Sequence, residues 1–121
     1  MADARAVSGS GSACNPEAAL ARLGDDAELY REVLQRFFDD SPEALSRISA
    51  AIELEKAGDL HRAAHSYKGL AAMSGTEDVA RTAAELEQIG KQGQLQEALA
   101  LLTRLRHEVE CAQRELAPYY R

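Results

Sequence analysis

Asp59-Leu-His-Arg-Ala-Ala-His-Ser-Tyr-Lys-Gly-Leu-Ala71 is the stretch that decides the fold. Its residues repeat as a helix does, at about 100° per position. Leu60, Ala63, Ala64, Tyr67, Leu70, Ala71 and Ser74 then share one face, which the pattern assigns to a core. His61, His65, Lys68, Gly69 and Ala72 share the opposite face, which should meet water. Gly69 is the oddity. A glycine inside a helix costs roughly 1 kcal/mol relative to alanine. Close helix-helix contact can excuse a buried glycine, but this one faces outward. Helical side chains lean toward the N-terminus, so the residue at i+4 lies beside and partly over the residue at i. Gly69 therefore removes the side chain most able to crowd the His65 ring, and Lys68 can bring an ammonium group to whatever that ring carries. An uncovered imidazole beside a cation on a rigid element suits a phosphoryl group held on nitrogen.

The pattern spreads outward as helices separated by short breaks. Asn15-Pro16 is a helix start, with asparagine as cap and proline in the first turn, and that helix stops at Gly24. Asp25 or Asp26 caps a second helix to about Asp39, with Leu29, Val33, Leu34, Phe37 and Phe38 as its stripe. Ser41-Pro42 is expected to restart the chain, because proline rarely continues a helix. A third helix on Leu45, Ile48, Ala51 and Ile52 should end at Gly58, and Asp59 should cap the histidine helix, which ends near Gly75. Thr76-Glu-Asp opens a fifth helix, lined by Val79, Ala83, Leu86 and Ile89 or Gly90 and closed by Gly93. The last runs from near Gln94 to about Glu115 on Leu95, Ala98, Leu99, Leu102, Leu105 and Val109, with Pro118 as its stop. No alternating pattern suggests a strand. The expectation is an all-α, antiparallel up-down four-helix bundle with one or two additional N-terminal helices. Residues 1–14, with Ser8 to Ala13 rich in Gly and Ser, are expected to be a flexible segment, 15–116 the domain and 117–121 a C-terminal tail.

Composition narrows the function. A chain of 121 residues supports one core. Its net charge of −6 argues against nucleic acid or an anionic membrane as partner. Nothing approaches the roughly 18 apolar residues of a membrane span, and the N-terminus lacks a signal-peptide core, so a cytoplasmic location is expected. Cys14 and Cys111 follow no metal-ligand spacing and are expected to be two separate thiols. His61 and His65 are four residues apart, but Arg62 stands where a zinc protease needs its glutamate and no acidic or cysteine ligand joins the face locally. No metal site is expected, and His107 is expected at the surface. There is no phosphate-binding Gly-x-x-x-x-Gly-Lys loop, and Ser66 and Leu70 occupy the acidic and proline places of a dimeric sensor-kinase histidine box. The chain alone should not phosphorylate itself with ATP.

His65-Ser-Tyr-Lys68-Gly69, with Gly75 ten residues after the histidine, resembles the histidine-phosphotransfer (HPt) domain of multistep phosphorelays. The flanks agree: Leu23-Gly24 before an acidic helix start, Phe37-Phe38 before Ser41-Pro42, Ala57-Gly58-Asp59 before the histidine helix, and Leu86-Glu87 after it. The resemblance spans about residues 15 to 110. It implies a phospho-acceptor at His65, charge stabilisation by Lys68 and steric clearance at Gly69. It further implies that Glu87 accepts a hydrogen bond from the other ring nitrogen and that Lys91 adds positive charge, although ordinary solvated charge explains those two residues equally well. His61 and Ala72, with Leu29 or Val33, would border the docking surface. The implied partners are response-regulator receiver domains and a hybrid sensor kinase, met by a monomer. The chain itself needs no cofactor, since Mg²⁺ belongs to the receiver. The alternative is the phospho-acceptor domain of a chemotaxis-type histidine kinase, to which the same residues are similar.

Overall fold

The computed structural model describes residues 14–121, so the expected flexibility of residues 1–13 lies outside the described residues. Five α-helices follow in order: α1 (Pro16–Arg22), α2 (Ala27–Glu53), α3 (Ala57–Met73), α4 (Glu77–Gln92) and α5 (Ala98–Tyr120), the last preceded by a short 3₁₀ turn, Leu95–Glu97. No strand occurs among the described residues. Each long helix packs on its neighbour in the chain, and α5 closes back on α2. The result is the expected four-helix bundle, with α1 as an extra N-terminal helix among the described residues. Its core is built from Leu34, Ile48, Leu60, Leu86, Leu105 and Leu116, all essentially inaccessible.

Local signals explain several boundaries. Asn15 accepts a hydrogen bond from the Ala18 amide at 3.2 Å, and Asp26 accepts one from Leu29 at 3.0 Å, so both act as caps. Gly75 takes a left-handed φ of 79° at the end of α3. Space also demands glycine there, because an added Cβ would lie 2.9 Å from the Asn15 carbonyl oxygen and 3.1 Å from the Tyr30 hydroxyl.

Two expected breaks are overturned and a third is displaced. The second and third predicted helices are one helix, α2, which runs through Pro42. Phe37, Phe38, Leu45 and Ile48 lie on one buried stripe across the proline, so splitting the helix would expose more apolar surface than one lost backbone bond is worth. Ser41 does not cap anything. Its hydroxyl donates to the Phe37 carbonyl at 2.8 Å and accepts from the Tyr67 hydroxyl at 2.7 Å, buried between α2 and α3. Burial pushes the Tyr67 hydroxyl up to about 12, with the Ser41 bond pulling the other way.

Gly58 and Asp59 are neither stop nor cap; both lie in the first turn of α3, whose cap position is Lys56. The turn is made by Glu55 at φ 54°, with the Glu55 and Lys56 amides bonded back to Ile52 and Ala51. That is a Schellman ending without glycine. A left-handed non-glycine residue costs roughly 1–2 kcal/mol, which is offset by burying Ala51 and Leu60 on either side of the turn. Lastly, α5 continues past Pro118 to Tyr120, whose ring stacks on Phe38 at 5.1 Å, so most of the expected C-terminal tail is helix. Cys14, expected in the flexible segment, is likewise packed in the core.

The helical wheel also misplaced three leucines: Leu29 on α2 is 40% exposed, Leu70 on α3 is 41% exposed and Leu99 on α5 is 65% exposed. Leu70 sits at the edge of the buried arc, opposite Asp40 and Ala44 of α2, which offer it little cover.

Candidate functional site

The outward face of α3 meets α4 along its closest seam, and a glycine makes that closeness possible. A Cβ on Gly90 would stand 2.6 Å from the His61 amide nitrogen and 2.9 Å from the Ala57 carbonyl oxygen. With no side chain there, α4 lies directly against the first turns of α3. That approach brings Glu87, one turn earlier on α4, beside the histidine face.

Glu87 joins two residues of α3. Its Oε2 lies 2.7 Å from His65 Nδ1, and its Oε1 lies 2.7 Å from Lys68 Nζ. The Lys68 hydrogen bond, with a smaller contribution from His65, holds the Glu87 carboxyl below the usual glutamate range, although partial burial opposes them. An ionised carboxylate can only accept, so Nδ1 is the ring nitrogen that carries the proton. Nε2 is then left with its lone pair on a side chain that is 64% exposed. Around Gly69 an added Cβ would meet nothing within 4 Å. The space beside the ring is open, and no close helix contact accounts for this glycine.

The remaining expected residues fall as follows. Ala72 is exposed on the same face. His61 is half-buried rather than fully exposed, because its Nδ1 lies 3.2 Å from the Glu87 carbonyl oxygen. Lys68 does not hang free over the ring but is held by Glu87. Lys91 is exposed and makes no ion pair among the described residues. His107 is exposed on α5, beside Cys111. The two cysteines do not bond to each other.

Sequence reasoning missed three residues here. Leu70 and Met73, 41% and 52% exposed, add apolar surface next to Gly69. Arg22 reaches from α1 to donate to the Ala72 carbonyl at 2.9 Å, placing a guanidinium at the rim. The exposure of Met73 was available from its place on the helical wheel. The Arg22 contact, between residues fifty apart, left no local signal. Among the described residues no three His, Cys, Asp or Glu side chains gather as a metal site, and no helix is long and apolar enough to cross a membrane.

An antiparallel helical bundle that fixes one imbalanced imidazole, tied at one nitrogen and open at the other, defines a class of protein in which the scaffold serves to present a single side chain. Within that class the chain belongs to the Hpt domain family, whose model matches residues 32–115. Among solved structures it is similar to histidine-containing phosphotransfer protein B (HptB) from Pseudomonas aeruginosa PAO1. The two are 28% identical with a TM-score of 0.79, over 93% of this chain and all of that one. No curated protein gives a significant match. Proteins of this family interact with receiver domains and kinases in phosphorelays.

Proposed function

We propose that His65 accepts a phosphoryl group from a receiver-domain aspartyl phosphate and passes it to the aspartate of another receiver. The observation that supports this reading most is the division of labour on one ring, with Nδ1 bound to Glu87 and Nε2 open to solvent. The Nε2 lone pair attacks phosphorus, the acyl P–O bond breaks, and the aspartate carboxylate leaves with the bonding electrons. The Nδ1 proton stays in place, so the phosphorylated ring is cationic, and the Glu87 carboxylate opposite Nδ1 stabilises that charge. Return to a second receiver reverses the same bonds. Such a transfer depends mainly on positioning and charge neutralisation. Lys68 supplies a cation one turn from the phosphoryl site, and Gly69 leaves room for the incoming acyl phosphate. Mg²⁺ is supplied by the receiver.

Docking falls on the open side of the ring, where Gly69, Ala72, Leu70 and Met73 form a small apolar field beside Arg22. A mixed field of this kind suits a transient partner. The test is incubation with a receiver carrying radiolabelled aspartyl phosphate. Acid-labile label should appear on the wild type and be absent from His65→Gln. Label that appears only with an ATP-driven kinase domain would instead favour the phospho-acceptor domain of a chemotaxis-type kinase, and no label under either condition would overturn the reading.

A further inference from the structure

His61 is the one residue of the histidine face for which phosphoryl acceptance at His65 gives no clear use. Its position is nevertheless defined on two sides. The Glu87 carbonyl oxygen can only accept, so His61 Nδ1 carries a proton and donates to it across 3.2 Å. His65 Nδ1 is held by the carboxylate of the same Glu87. Both rings therefore turn Nδ1 toward α4 and Nε2 away from it. The rings stack one turn apart, with centroids 6.3 Å from each other and planes inclined by 22°.

That arrangement disfavours a shared metal ion. Nearly parallel rings do not converge on one point, and zinc would need both nitrogens within about 2.1 Å. It suits a tetrahedral phosphoryl group. Two hydrogen bonds through one water span about 5–6 Å, the same scale as the 6.3 Å between the two ring centroids. We infer that His61 is a second, proton-dependent contact for the phosphoryl group on His65: protonated at Nε2, it presents an N–H and a positive charge to a phosphoryl oxygen, directly or through one water. The inference rests on the phosphoryl-accepting role of His65.

The charged surroundings leave this contact to His61. On α4, the Glu87 carboxylate is taken by His65 and Lys68, and Lys91 lies one turn further on. On α3, Arg62 is paired with Asp59. Lys68 gives a positive charge already engaged by Glu87, whereas His61 keeps its Nε2 turned away from α4. Phosphorylation and protonation of His61 are then linked, each favouring the other by the same factor.

NMR titration of the nitrogen-labelled full chain tests this, before and after phosphorylation with potassium phosphoramidate. Phosphorylation of His65 should raise the titration midpoint of the His61 ring by about one unit, a tenfold gain in proton affinity. It should also slow exchange of the His61 Nε2–H. His65→Gln given the same treatment should show neither change. If phosphorus NMR finds His65 labelled and His61 does not move, this inference fails while the acceptor reading stands. If His65 takes no label, both fail.

Discussion

Gly69 and Gly90 stand on facing helices of the same site, and they are glycine for opposite reasons. Gly90 is closed in: a Cβ would collide with the backbone of α3 at 2.6 Å. Gly69 is open, with nothing within 4 Å to meet a side chain. The first glycine is explained by the chain itself, since it lets α4 come close enough for Glu87 to hold His65 and Lys68. The second is not explained by any contact within the chain, and it becomes intelligible only when something else must occupy the space. Packing and function thus leave different signatures on the same residue type, one read from a collision and one from a vacancy that folding does not need.

This contrast fails or sharpens by experiment. The largest effect is expected at Gly90→Ala, where the methyl group meets backbone and the helices must separate. Even after the propensity gain of alanine, a loss of about 2–3 kcal/mol is expected in urea unfolding; unchanged stability would mean that the seam is looser than it stands here. Gly69→Ala should do the reverse and stabilise by up to about 1 kcal/mol. Gly69→Gln should fold equally well and yet slow phosphoryl transfer from a receiver by about a hundredfold, as displacement of the reacting groups by a fraction of a side chain does. Wild-type transfer by Gly69→Gln would remove the clearance argument.

The smallest expected effect is at Glu87→Gln, which keeps the shape but removes the charge opposite His65 and Lys68. Transfer should fall about tenfold, the usual result of losing a carboxylate that orients a working histidine. A stability effect accompanies it. Because the folded Glu87 carboxyl lies below the usual glutamate range, its contribution is present above that range and lost as pH falls through the lowered value. The wild type should therefore lose stability relative to Glu87→Gln on acidification, measured as the difference of their urea midpoints. Parallel curves would show that the Glu87 contacts add nothing to the fold.

Much of the molecule was legible in advance where the cause is local. Asn15-Pro16, Gly24, Gly75 and Gly93 mark ends that their own backbone chemistry requires. Pro42 and Pro118 misled for a common reason: each is a break in isolation, and each is overruled by buried side chains on both sides of it, whereas the break expected at Gly58 falls three residues earlier, at Glu55. The outward direction of His65 and Gly69 follows from angular spacing alone, so the centre of the site could be read. The hold of Glu87 on both His65 and Lys68 could not be derived that way, because it depends on how closely α4 approaches, and that distance is set by Gly90. Arg22 and Ala72 meet only through the fold, and no spacing within a helix announces them.

Two positions beyond His65 the same helix carries Tyr67, its ring lying flat on Phe37 and its hydroxyl bound to Ser41 in the interior. The imidazole is thus mounted on a post fixed from behind. A visitor finds its landing point already standing and has no ordering penalty to meet there. On the proposed relay reading, the tempo of exchange is governed by arrival and departure of successive partners, with this chain as the stationary member of each encounter.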